Sequence, residues 1–287
     1  MDLNKKIKLL DFKLTKSLWS SFFWVYKSSF VWNWIDFSEH KEYNFWDPIK
    51  NIDWKTMART NRLYTKVFEE ERDLKILFVI DINKNMNFWF YDKIKKDILE
   101  EIFFMIWSSA NFYWDSIWAV LYDWIKNIYI PYKKWIFNIF NVIWELDNAK
   151  NFTNIDLDRT NNVFNYLNKM NIKNNLIFFL SDDINLSLNN TSKILSSKNQ
   201  IYYINIFDNF EDNLENLDMD ISLWFDWDFL NISLKNKDKI EQYKNNRLSN
   251  INKFEKLLLK NNISYKNVNT NNDVFKEIFL YFNSLKK

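Results

Sequence analysis

Strands alternating with helices predict an α/β fold, a mostly parallel sheet flanked by helices with an N-terminal extension. Three observations carry the prediction. The stretch LKILFVIDINKNM at 74–86 holds a continuous apolar run, 76–80, that stops at Asp81 and a polar turn. A second run at 176–180 also ends in acids, Asp182 and Asp183, and a third follows at 200–206. Between the runs, apolar residues recur at helical spacing, as Ile94, Ile98, Ile102, Met105 and Ile106 do. Short apolar runs rich in β-branched and aromatic residues read as strands buried on both faces, and alternation with helices makes such a sheet parallel.

In chain order, apolar positions Leu3, Ile7, Leu10, Leu14 and Leu18 predict a first helix over 2–20. Residues 21–72 are polar, aromatic and rich in charge, and 63–68 alternates as a strand leading to the sheet. The strand at 74–80 is followed by a helix near 91–112, strands at 116–122 and 125–130, and a helix near 135–147. Asp156 or Asp158 caps a helix ending near Met170. A helix near 188–197 separates the strands at 176–180 and 200–206. A hairpin around Asp226-Trp227-Asp228, a helix near 238–260, a strand near 263–268 and a helix near 272–285 complete the chain. The organisation predicted is 1–72 as a helix and extension packed on the main domain, and 73–287 as that domain.

Composition removes several function classes. A 287-residue chain with 47% hydrophobic residues has room for one large domain with an appendage, or for two small ones. The net charge of +2 argues against a dedicated nucleic-acid or membrane-surface protein. There is no cysteine, so disulfides, thiolate zinc sites and cysteine nucleophiles are excluded. A single histidine, His40, excludes multi-histidine metal sites. The first residues lack the apolar centre of a signal peptide, and no apolar run approaches the ~20 residues that span a bilayer. A cytoplasmic protein without a membrane span is expected.

Glycine is absent, against an average near ~7%, while tryptophan numbers 15. Trp32, Trp34, Trp46 and Trp114 stand where turns want a residue tolerant of positive φ. The pattern predicts that most Trp letters stand for glycine, as when a cell reads UGA as glycine and another code table prints Trp.

Two constellations carry chemistry. Asp81, Asn83, Asn85, Thr153 and Asp182 offer oxygens from strand-end turns, a donor set suited to magnesium or calcium. The alternative reading has Asp81 and Asp182 bonding backbone amides, as Asx residues do after strands. The second set is Glu42, Tyr43, Asp47, Asp53, Trp54, Arg59 and Arg62, with Glu70, Glu71 and Arg72. It reads as a partner-docking surface or as buried ion pairs pinning the segment to the sheet domain, with Arg59 bidentate on Asp53 or Asp47. His40 has no nucleophile motif beside it and reads as a surface or hydrogen-bonded histidine. No phosphate-binding loop motif is present, even with Trp read as Gly.

With that substitution, WNWIDFSEHKEYNFWDPIKNIDWKTMART at 32–60 resembles the signature of the bacterial family called domain of unknown function 58. Lys66-Val67-Phe68-Glu69-Glu70-Glu71-Arg72 and Asp81-Ile82-Asn83-Lys84-Asn85 stand where that family has a charged run and a D-x-S-x-S turn. Trp54 matches a genuine tryptophan of the signature. The resemblance covers about 15–235 and implies a von Willebrand factor A-like domain. It further implies a metal-ion-dependent adhesion site and association with a MoxR-type AAA+ ATPase. The chain departs at Asn83 and Asn85, which replace both serines, at Lys41, and at Lys50 or Asn51. The function implied is a non-enzymatic protein-interaction module with no nucleic-acid partner. The alternative is a metal-dependent hydrolase or phosphotransferase using Asp81 and Asp182.

Overall fold

The computed structural model describes residues 21–23, 25–26, 29, 35–47, 49–70, 74–87, 93–123, 127–131, 137–148, 159–184, 190–212, 220–225, 228–233 and 237–285. The helix expected at 2–20 and Thr153 lie outside the described residues. Strand β1 (Ile35–Glu42) and strand β2 (Tyr64–Glu70) pair antiparallel, with a register shift between Phe37 and Glu39. Helix α1 (Trp54–Thr60) lies between them in sequence. The strand expected at 63–68 therefore forms a two-stranded sheet of its own rather than joining the main sheet.

The main sheet is built outward from β3 (Lys75–Asp81). Helix α2 (Lys95–Phe112) leads to β4 (Ser116–Tyr122), which lies parallel to β3. A turn then sends β5 (Asn127–Ile130) back antiparallel to β4, and it forms one edge. Helices α3 (Phe137–Asn148) and α4 (Arg159–Lys169) carry the chain to the other side of β3. There β6 (Leu176–Ser181) pairs parallel with β3. Helix α5 (Asn190–Lys198) precedes β7 (Gln200–Phe207), and a short helix, α6 (Asn209–Asp212), follows it. A separate hairpin, β8 (Asp220–Phe225) and β9 (Asp228–Ser233), and the long α7 (Lys237–Lys260) come next. Strand β10 (Ile263–Asn269), parallel to β7, and α8 (Val274–Ser284) end the described chain. The strand order is β10-β7-β6-β3-β4-β5, so the winding direction reverses between β3 and β6. This is a doubly wound, mostly parallel sheet, and sheets of this kind bind ligands at the C-terminal strand ends beside such a reversal.

Alternate side chains of a strand face opposite sides of the sheet. Ile76, Phe78 and Ile80 join one core with residues of α2, α3 and α8, whereas Leu77 and Val79 join a second with α4, α5 and α7. Both faces are covered, so the run at 76–80 shows no polar alternation. Phe178 on β6 stacks against Phe78 at 5.8 Å and against Tyr202 at 5.2 Å, tying three strands together on one face. The N-terminal segment reaches the same core through Phe22, Val25 and Tyr26. The Tyr26 hydroxyl donates to Asp115 at 2.7 Å, and the Leu74 amide donates to the other Asp115 oxygen at 3.0 Å. The entry into β3 and the N-terminal segment thus share one carboxylate.

The expected start of the second helix needs correction. Helix α2 begins at Lys95, not near 91, and its N-cap Ile94 supplies no side-chain acceptor. Asn61, Asn171, Asn174 and Asn262 have positive φ, and so does Trp114, at φ 65 in the turn between α2 and β4. Asparagine tolerates that region, whereas a bulky side chain there is strained.

Phe178→Ala removes a fully buried ring from the layer between β3 and β7. A loss of about 3–5 kcal/mol is expected in urea unfolding. A loss below about 1 kcal/mol would show that the stack does not brace the sheet.

Candidate functional site

Strand β3 delivers Asp81 to the sheet edge fully buried. Its Oδ1 accepts the Asn83 amide at 3.1 Å, an Asx turn that starts the exit loop. Its Oδ2 accepts the Ser181 hydroxyl from the end of β6 at 2.7 Å. Ser181 Oγ in turn accepts the Asp183 amide at 3.1 Å. Asp81 therefore ties two adjacent strand ends across the reversal point.

The Asn83 side chain has a fixed orientation. Its Oδ1 accepts the Asn85 amide at 2.6 Å, which turns Nδ2 toward Asp182 Oδ1 at 3.2 Å. The second oxygen of Asp182 accepts Lys95 Nζ at 3.3 Å. Lys95 opens α2 with only 1% of its side chain exposed, and it also donates to Glu211 on α6. Glu211 Oε2 accepts Arg247 of α7 at 2.9 Å. Two cations and two carboxylates alternate along this chain, which links four elements.

A buried ammonium is expensive unless carboxylates surround it. Burial pulls the Lys95 pKa down, but the charges of Glu211 and Asp182, with the hydrogen bond to Glu211, outweigh it and leave it above the usual lysine value. Lys95 stays charged at neutral pH.

The set read from sequence as cation ligands meets only in part. Asp81, Asn83 and Asp182 converge, Asn85 takes part through its backbone amide, and Thr153 lies outside the described residues. A divalent cation needs several oxygens aimed at one point. Here Asn83 offers Asp182 an N–H rather than offering an oxygen, and Lys95 already contacts Asp182. Among the described residues, no cluster of three or more His, Asp or Glu converges as a metal site. The described side chains at this edge are not arranged around a common point for magnesium or calcium.

Lys95, Glu211 and Arg247 were missed in the sequence. No local signal marked Lys95, because the sequence pattern began the helix near 91 rather than at the lysine. Ser181 stood beside Asp182 in the strand-end motif, but nothing marked it as the partner of Asp81.

The second constellation is arranged differently from the ion-pair pinning expected. Asp53 is the N-cap of α1, and its Oδ1 accepts the amides of Lys55 and Thr56 at 3.0 and 3.2 Å. Its Oδ2 lies 2.6 Å from His40 Nε2 and accepts the Thr56 hydroxyl at 2.9 Å. Arg59 is exposed and pairs with neither Asp53 nor Asp47. The side-chain acceptors of Asp53 are filled from β1 and α1, so Arg59 has no bidentate site there. Asp47 accepts the Asn44 amide at 2.8 Å and has Lys41 3.8 Å away. Arg62 and Glu42 stand 3.7 Å apart and largely exposed, a local surface pair of little energetic weight. Tyr43 is half-buried. Five apolar side chains between 45 and 63 face water: Phe45, Trp46, Ile49, Trp54 and Leu63, each 41% to 91% exposed.

Fold and site together define a doubly wound α/β protein whose acid-bearing sheet edge is closed by a buried lysine. The chain belongs to the family described as "Protein of unknown function DUF58", which matches residues 39–220. No curated protein matches it. Among solved structures, the conserved hypothetical protein BatB from Bacteroides thetaiotaomicron is 11% identical. The match covers 74% of this chain and 98% of that one, with TM-score 0.42. An aerotolerance-related membrane protein from Bacteroides fragilis is 10% identical over 74% and 99%, with TM-score 0.41. Among the described residues, no helix is long and apolar enough to cross a membrane.

The hydrogen bonds around Asp53, led by His40, hold its carboxyl below the usual aspartate range against the opposing effect of burial. A depressed carboxyl stabilises the fold above its ordinary pKa, and that contribution is lost as pH falls through the lowered folded value. Asp53→Ala is expected to abolish amide-exchange protection at Thr56, and wild type is expected to lose it only under strong acid. Protection unchanged in the variant would remove Asp53 as the cap.

Proposed function

We propose that this chain is a non-enzymatic protein-interaction module of von Willebrand factor A-like architecture, and that its partner is an AAA+ ATPase of the MoxR type. The observation that carries the reading is the number of exposed apolar side chains on and beside the signature segment. Ile49 and Trp54 project into water beside a tightly capped helix, and exposed apolar groups of this kind mark binding surfaces. The partner class comes from the family signature at 32–60. The strand order and the antiparallel edge strand β5 support the architecture. The carboxylates Asp81 and Asp182 are engaged by Ser181, Asn83 and Lys95, which leaves the hydrolase reading without a held metal.

Calorimetric titration of this chain with a MoxR-type ATPase encoded in the same genome tests the reading. Binding is expected, with Trp54→Ala weakening it about tenfold, as for a central aromatic anchor. No binding by wild type, or equal binding by the variant, would overturn it.

The same segment bears on the tryptophans. We propose that Trp114 and Trp46 are glycines in the cell and that Trp54 is a true tryptophan. Positive φ at Trp114 supports this, since four asparagines hold the other such positions. With glycine at position 46, the docking surface keeps Phe45, Ile49, Trp54 and Leu63. Peptide sequencing of the native protein by mass spectrometry is expected to read glycine at 114 and tryptophan at 54. Tryptophan at 114 would refute the recoding.

A further inference from the structure

The chemistry at the end of β3 asks for a cation. Asp81 and Asp182 are both buried at adjacent strand ends. Glu211 adds a carboxylate from the end of the next strand along. The neutralising charge comes from inside the chain. Lys95 is 1% exposed and contacts Asp182 at 3.3 Å and Glu211 more closely. Arg247 takes the remaining Glu211 oxygen at 2.9 Å. The asparagine of the turn completes the exchange. An aspartate or serine oxygen at position 83 suits a metal, whereas the Asn83 amide donates to Asp182.

We propose that Lys95 is a built-in cation that takes the place of a divalent metal at this edge, so the site is assembled without magnesium or calcium. Helix α2 is the device that delivers it. Its first residue is the lysine, and one face of the helix is buried in the core through Ile98, Ile102 and Ile106. The ammonium is therefore fixed by the core and not by a mobile surface side chain. An ion bound from solution would have to displace the ammonium from Asp182 and Glu211. As a deepening of the interaction reading above, and resting on it, partner binding through the signature segment is independent of divalent ions.

The test reads stability and ion binding separately from partner binding. Wild type is expected to show the same Tm and no heat of binding with millimolar magnesium, calcium or EDTA. Lys95→Met leaves Asp182 buried without its cation, while Glu211 keeps Arg247. Its Tm should fall by about 10 °C, the scale of a broken buried pair in a chain this size. Lys95→Met with Asp182→Asn should recover more than half of that fall. If Lys95→Met does not fold, folding of the double variant supports the pairing, and failure of both overturns it. Saturable magnesium or calcium binding by wild type that is lost in Asp81→Ala would overturn the inference while leaving partner binding intact. Absence of partner binding would overturn only the proposed function, because the Tm cycle does not involve the partner.

Discussion

Burial of β3 on both faces is the constraint from which the rest follows. A strand with apolar side chains on both sides must be covered by helices on both sides, and only crossover connections between parallel strands put them there. The chain winds one way through α2 to β4, then returns past β3 to β6 and β7. The reversal puts the ends of β3 and β6 side by side. Each end must leave the core through a polar residue whose groups are all satisfied, because water is excluded there. Asp81 and Ser181 meet that requirement with each other.

The same constraint explains the buried charges. Asp182 lies one residue beyond β6, and only 4% of its side chain is exposed. A lone carboxylate in that position would take up a proton or disrupt the edge. The lysine that compensates it comes from the element after β3, the glutamate from the element after β7, and the arginine from α7. The network therefore braces the winding order. Three crossovers must be in place before its charges are paired. Such a network contributes little net stability compared with an apolar core, but it makes incorrect arrangements costly.

Legibility in the sequence divides along this line. The strands at β3, β6, β7 and β10 and the long helix α7 were readable because a buried run or a long periodic stripe is a local pattern. The two short strands β4 and β5 were readable as separate apolar runs, whereas their antiparallel pairing emerges only in the structure. The helix start at Lys95 was not readable, since its N-terminus is set by an ion pair to residues far along the chain rather than by a capping side chain. Asp81, Asn83 and Asp182 were found because strand ends are local. Their partners were missed because Ser181 and Lys95 are chosen by strand adjacency, and sequence periodicity carries no record of which strands are neighbours. Arg59 was offered to Asp53 or Asp47 on charge alone, and the geometry gives Asp53 to His40, Thr56 and the backbone of α1, and Asp47 to the Asn44 amide and Lys41.

The signature segment follows a different logic from the sheet edge. A two-stranded sheet is marginal alone in water. Here β1 and β2 are held by a clasp in which His40 of β1 meets the cap residue of α1. The clasp places charge and hydrogen bonding inside the segment and leaves Ile49 and Trp54 outside it. Lys50, Arg59 and Arg62 are exposed on the same segment, so it presents apolar and charged side chains together. On the function proposed above, the segment meets its partner with side chains ordered by its own hydrogen bonds, and less freedom is lost on docking. The sheet edge is internally neutralised, so under that proposal recognition falls to the segment, while the edge ties the ends of β3 and β6 together.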